Sequence, residues 1–420
     1  MSDITAIDSN SEWNIPFQQT YRSIELVNAE GEKYIITSMV TELNIFEDIF
    51  SNTISGSLVF VDAIGASDRM KLRGNERLKV ELNLDPNNSV VENKDFYIYA
   101  LRNRMHINNT SEIYTLHFAS VEAILNEHTR VYSAIEGPNS NSVKVLFDYV
   151  GSQKKLTTEE TNGSYKFVMP SWTPFEGINW YCGRSISSES RGSYFLFFET
   201  MEGFNFKSVE SMINKQPVME YRYEPAGGVF LQKDVTNIRE FEVIENTDSL
   251  KGTAENYTTL WSHDLVRKKV IKQRFEYEEN NRGKLNTGDL LGTSTKNGFD
   301  LDLKERRDLY GTNVLVKYET QKTHSQTQAY YHDAIQTKLS AMRQFGNVKI
   351  RFLAFGTRKV KAGDVIDMRF LKTQLITEGM KEESADKLLS GRYLVTAVRL
   401  VMKQQDFHIA VEAVKDSREG

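Results

Sequence analysis

His263-Asp264 and His332-Asp333 join an imidazole to a carboxylate, the pairing that a metal-dependent phosphohydrolase would use. His332 falls on a helical pattern with no second histidine one turn away, and neither HExxH nor paired-cysteine zinc spacing occurs, so no ligand set is complete. A thiol nucleophile would have to be Cys182, the single cysteine, but it lies on the apolar side of a helical pattern and reads as packing. Glu159-Glu160 has the composition of a glycosidase pair, yet its Thr and Asn neighbours place it in a polar connection. The run VRKKVIKQRF (Val266–Phe275) would suit phosphate contacts. With Glu276, Glu278 and Glu279 following, it reads rather as a strand edge whose lysines block unwanted pairing. There is no P-loop and no GxGxxG, so no catalytic residue, no cofactor and no metal site is assigned.

The elements around these residues are mostly strands. The chain has 420 residues, 40% hydrophobic and 26% charged, with 19 Tyr, 23 Phe and only 7 Pro, a composition that favours β-rich globular structure in several domains. The net charge of −5 gives no overall basic footprint for nucleic acid, and one cysteine excludes an internal disulfide framework. The opening MSDITAIDSNSEWNIPF carries neither a basic n-region nor an apolar h-region, so no signal peptide is expected, and no apolar run is long enough for a membrane span.

The pattern divides into a loose arm (1–15), a first barrel (16–128), an α+β domain (129–235), the first strands of a second barrel with a charged insertion (236–325), and a helix with the remainder of that barrel (326–420). In the α+β domain one helix is expected from a Ser142 cap to Gly151. A second is expected from Thr173-Pro174 with Glu176 closing a capping box and Ile178, Tyr181, Cys182 and Ile186 on its apolar face. A hairpin turning at Glu202-Gly203 follows. A later helix, Ser325–Phe345, places Tyr331, Ile335, Leu339 and Met342 on one side.

The final strands repeat the early ones. KLRGNERLKVEL (Lys71–Leu82) lies over KVKAGDVIDMRF (Lys359–Phe370), and FYIYALRNRM (Phe96–Met105) over YLVTAVRLVM (Tyr393–Met402). SGSLVFVDAIG and NVKIRFLAFG correspond, as do IYTLHFASVEA and FHIAVEAVKD, in the same chain order. This order predicts a duplicated β-barrel: a β-rich α+β chain with two similar tube-like barrels and an intervening α+β domain. A barrel present twice per chain can build a ring in which three chains supply six similar units. FEDIFSNTI, between two good strands, breaks the period of two. It is expected either to pack on a neighbouring subunit through Ile45, Phe46, Asp48, Ile49 and Phe50, or to fold back on its own barrel.

The chain resembles the central baseplate hub protein of T-even-like contractile-tailed phages, related to the N-terminal hub part of type VI secretion spike proteins. The resemblance is carried by SGSLVFVDA, SVKVLFDYV, PSWTPFEGINWYCGRS, SYFLFFETMEGFNF, SVESMINKQPVMEYRYEP and KAGDVIDMRF…SGRYLVTAVRL, in that order over residues 20–415. The longer, more charged region 265–325 departs from the family pattern. The resemblance implies a homotrimeric hub joining a trimeric spike protein to a tail tube or tube-initiator, bordered by baseplate wedge proteins, with DNA or a tape-measure protein passing through the lumen. It implies a virion location, with assembly in the host cytoplasm. The acidic balance predicts lumen-facing carboxylates that repel DNA. The rival readings are the hub of a non-phage contractile injection system, a tail-associated cell-wall hydrolase, and a glycan-binding module.

Overall fold

The computed structural model describes residues 21–83, 91–190, 192–223, 235–245, 257–264, 268–276, 283–287, 314–319, 331–345, 347–371, 385–403 and 406–418. The arm 1–15 and most of the charged region 265–325 lie outside them.

The first half comprises β1 (Tyr21–Val27), β2 (Lys33–Ile35), β3 (Val40–Asp48), β4 (Ser55–Asp62), the short α1 (Ala66–Arg69), β5 (Arg77–Asn83), β6 (Val91–Asn108), β7 (Ser111–Ser120) and α2 (Val121–His128). Their ladder order is β3-β4-β7-β6-β5-β1-β2. The turn between β1 and β2 holds Gly31 at φ 84°, a conformation glycine adopts without a steric penalty. VEAI, read as strand, is the first turn of α2, and a helix there ends the meander.

The α+β region holds β8 (Ala134–Gly137), α3 (Asn139–Val150), β9 (Leu156–Thr158), β10 (Tyr165–Val168), α4 (Pro174–Cys182), β11 (Phe195–Thr200), β12 (Gly203–Ser208) and α5 (Val209–Ile213). The Thr173/Glu176 capping box forms on α4 as its sequence dictates, and Gly151 ends α3 in the left-handed conformation. Helix α3 starts before Ser142, however. Ser142 lies inside it and donates to the Pro138 carbonyl, while the Ser140 N–H donates to Thr161 Oγ1. Ile186 lies past the end of α4. Both helices cover the aromatic β11–β12 hairpin, where Phe147, Phe175, Phe197 and Phe204 interlock.

The second half is built from β13 (Glu220–Tyr223), β14 (Val235–Glu245), β18 (Val348–Phe355), β19 (Val365–Phe370), β20 (Gly391–Lys403) and β21 (Phe407–Lys415). Between β14 and β18 the chain forms a separate three-stranded sheet, β15 (Tyr257–Asp264), β16 (Lys269–Glu276) and β17 (Val314–Glu319), and then α6 (Tyr331–Gln344). The order β19-β13-β14-β18-β21-β20, with β20 returning to β19, closes a six-stranded barrel. The described face of α6 differs from the expected one. Gln336, Ser340, Ala341, Gln344 and Phe345 are buried, while Met342 is exposed. Gln344 Nε2 donates to the Asp416 carbonyl at 3.2 Å, a bond that lets an amide take a core position.

The duplication extends to irregularities that alternation alone would not produce. Strands β4, β7, β6 and β5 pair in series, as do β18, β21, β20 and β19. A bulge falls between Ile98 and Ala100 on β6 and between Val395 and Ala397 on β20. A second falls between Val40 and Glu42 on β3 and between Ile238 and Glu240 on β14. The Ile98 N–H donates to the Glu76 carbonyl at 2.8 Å, and the Val395 N–H to the Asp364 carbonyl at 2.9 Å. In the turns before β5 and β19 an acid accepts a backbone amide three residues back, Arg73 N–H to Glu76 and Lys361 N–H to Asp364.

Candidate functional site

The two halves meet edge to edge. β3 pairs antiparallel with β20 from Glu42↔Lys403 to Asp48↔Ala397, which fuses both ladders into one 13-stranded sheet over a single apolar core. Arg399 holds the seam: its Nε donates to Asn44 Oδ1 at 2.9 Å, its guanidinium lies 3.3 Å from Glu42, and it stands over the Phe46 ring. Lys403 adds a second, looser pairing to Glu42 at 3.6 Å.

This seam changes the reading of FEDIFSNTI. Phe46, Glu47 and Asp48 continue β3 because β20 is there to pair with them, and the break between strands shrinks to the turn from Ile49 to Ile54. Ile45 is buried in the shared core, and Ile49 packs in a second cluster with Tyr194, Phe198 and Val209. Phe46 is half-buried beneath Arg399. Asp48 is half-buried and accepts from the Phe50 N–H at 2.8 Å, and burial raises its carboxyl above the ordinary value. The Phe50 side chain, 58% exposed, points away from this core.

Two buried carboxylates fasten the turn, and sequence reading missed both. Glu47 occupies the slot after Leu43 and Ile45 on the inward face of β3, which is why the apolar alternation looked broken. Its Oε1 accepts from the Met201 N–H at 2.7 Å and its Oε2 from the Ala362 N–H at 3.1 Å, so one side chain ties together the first half, the β11–β12 turn and the second half. Burial pushes its carboxyl up to about 7, against the pull of those two amides. It lines a pocket of about 300 Å³ with Glu92, Arg358, Lys361 and the Val398 and Leu400 side chains of the seam. Glu199 is the second. Its Oε2 accepts from the Ile54 N–H at 2.9 Å and from Ser120 Oγ at 2.5 Å, while its Oε1 lies 2.6 Å from Lys154 Nζ. Lys154 also reaches Glu122 on α2 at 2.7 Å. An acid at an apolar position of an otherwise alternating strand was the available signal for Glu47. Nothing local marks Glu199.

Among the described side chains, those that could do chemistry do not converge. Cys182 is buried on α4, where burial pushes its thiol up to about 12 and keeps it protonated. His263 lies on β15 between Val270 and Tyr318, and His332 on α6. Glu159 is not loose: it accepts from the Ser208 N–H at 2.7 Å and from the Ser208 hydroxyl. Glu160 is exposed and binds Ser140 and Lys144. The described part of the basic run forms β16, an edge strand of its sheet. Among the described residues no three His, Cys, Asp or Glu side chains gather as a metal site would need, and no helix is long and apolar enough to cross a membrane.

Paired backbone edges and a buried acid clamp join the two halves. No family model matches the chain. Over 248 residues it is 22% identical to a protein of Vibrio phage KVP40 named as a probable baseplate hub protein, spanning 56% of this chain and 57% of that one. In fold it is similar to a tail protein of Neisseria meningitidis MC58, with a TM-score of 0.56, 10% identity and 94% and 96% of the two chains covered. It is also similar to the 43 kDa tail protein of prophage MuSo2 of Shewanella oneidensis, with a TM-score of 0.51, 9% identity and 94% and 98% coverage. The chain resembles a phage baseplate hub protein. The chain spans a little over half the length of that hub relative, and the tail proteins share its tube-like barrel fold.

Proposed function

We propose that the chain is a structural baseplate hub of a contractile phage tail. Three copies form a ring of pseudo-six-fold symmetry that joins a trimeric spike to a hexameric tail tube. The observation that carries this reading is the duplicated ladder with its matched bulges, since two equivalent units per chain are what a three-fold object needs to meet a six-fold one. The named hub relative supports the same reading. Spike, tube or tube-initiator, and wedge proteins are its partners, and DNA or a tape-measure protein crosses the lumen without staying bound. The role is structural rather than catalytic, in the tail of the virion. Phe50 belongs to a subunit or partner contact, being the one exposed residue of the five expected there.

Light scattering after gel filtration tests this. The expected mass is three times the 48.3 kDa chain, with six-lobed rings in electron micrographs. A monomer that remains monomeric when co-expressed with the spike would overturn the reading.

A further inference from the structure

The junction of the two halves holds a pocket that the hub reading leaves without a task. Four parts of the fold wall it: β3 with Glu47, β6 with Glu92, the β11–β12 turn with Met201 and Glu202, and the second half with Arg358, Lys361 and side chains of β20. Its volume of about 300 Å³ is enough for a small ligand. Met201, Val360, Val398 and Leu400 form its apolar lining and are themselves buried, and the other five residues that line it are charged.

The bonds made by these charged groups leave one donor over. Glu92 accepts from Arg358 Nη2 at 3.0 Å and lies 2.5 Å from Lys94 Nζ, so its charge is met twice. Lys361 pairs with Glu202, whose side chain is 73% exposed, so water screens that pair and Lys361 can leave it at little cost. Both oxygens of Glu47 are taken by backbone amides, and burial holds its carboxyl protonated below about pH 7. Arg358 Nη1 remains: it is buried and has no hydrogen-bond partner. A buried guanidinium N–H is costly without an acceptor, and the acceptor that suits it best is an oxyanion. The balance of charge agrees. Arg358, Lys361 and Lys94 stand against Glu92 and Glu202 once Glu47 is protonated.

We propose that this pocket binds a small monocarboxylate with a short hydrocarbon tail. The carboxylate takes the open Nη1 donor of Arg358, with Lys361 as the second cation, and the tail lies against Val360, Val398 and Leu400. Such a ligand touches both halves and the β11–β12 turn at once, so it fastens the seam that β3 and β20 form. Inorganic phosphate would satisfy the donor and leave the apolar lining bare. A neutral alcohol would cover the lining and leave the donor without its anion. Glu47 adds a dependence on pH. Lys361 and Asp364 act on it electrostatically, and Arg358, Glu92 and Glu202 share its pocket. Once ionised, it repels a carboxylate bound beside it, so affinity falls as pH rises through about 7.

Equilibrium dialysis of the full chain against hexanoate tests this, with thermal unfolding as a second readout. At about pH 6 hexanoate should bind saturably, in the millimolar range or tighter, and raise the unfolding midpoint. Hexanol and inorganic phosphate should each bind at least about tenfold more weakly. Arg358→Gln should weaken hexanoate binding at least about tenfold. Val360→Phe fills the pocket and leaves its charges in place, and should abolish binding. Moving to about pH 8 should weaken binding to the wild type, and Glu47→Gln should remove that loss. The comparison of hexanoate with hexanol uses the wild-type chain, so it decides the matter even where a variant fails to fold. The proposal is overturned by no saturable binding of hexanoate, by hexanol binding as tightly as hexanoate, or by undiminished binding to a folded Arg358→Gln chain.

Discussion

The two halves share a ladder, its bulges and its turn acids, yet they differ in how they close. The second half curls into a six-stranded barrel because β20 returns to β19 and the short parallel strand β13 bridges β19 and β14. The first half has no such closing ladder among its described residues. Its β1 pairs antiparallel with β5, the turn at Thr37–Met39 crosses the gap, and the Ile36 N–H donates to the Ile24 carbonyl. Its remaining strand, β3, turns outward to β20. The difference teaches that one architecture can hold either a closed barrel or an edge donor, depending on what links its first two ladder strands. In the first half that link is a six-residue turn clamped by Glu47 and Glu199. In the second it is an insertion of more than a hundred residues, anchored by Asn286 and α6.

The largest effect should come from unclamping the first half. Lys154 serves two buried acids, Glu122 and Glu199, so Lys154→Met strands carboxylate charge inside the protein and should cost about 3–5 kcal/mol, read from urea denaturation. The next effect is on pH. The carboxyl of Glu47 sits at about 7 in the folded chain against an ordinary 4.5, so the folded state holds a proton that the unfolded state has released. That contribution to stability is present in full below about pH 4.5, falls as pH rises towards 7, and amounts to at most about 3 kcal/mol. Denaturation midpoints of the wild type should therefore drop across this window, and those of Glu47→Gln should change less. The smaller effect falls on the second half. Asn286 bonds the Arg392 backbone in both directions and the Ser417 carbonyl, so Asn286→Ala should cost about 1–3 kcal/mol. If Asn286→Ala proved more damaging than Lys154→Met, the insertion rather than the acid clamp would be the main organiser.

Much of the fold was legible in the sequence because its determinants are local. The α4 capping box, the Gly151 helix stop and the Gly203 hairpin each rest on a few adjacent residues. The repeat was legible because alternation and turn acids recur in order. What stayed hidden depends on distant partners. Glu47 broke the apolar pattern because its partners, Met201 and Ala362, are remote in the chain. The buried face of α6 is set by amides that bond elsewhere, so the stripe through Ile335, Leu339 and Met342 lies beside it, half-buried at Ile335 and Leu339 and exposed at Met342. The five residues expected at a subunit contact have their partner strand, β20, remote in the chain. Four of them serve the internal seam and its turn.

Backbone hydrogen exchange, followed as a function of protein concentration, tests the central claim most directly, because it reports edge by edge which ladders are complete. Amides of β3 and β20 should be protected at every concentration. Amides that point away from their ladder partners at the subunit contacts should exchange fast in dilute protein and gain protection as the ring forms. Association with no gain of protection at any strand edge would contradict the account.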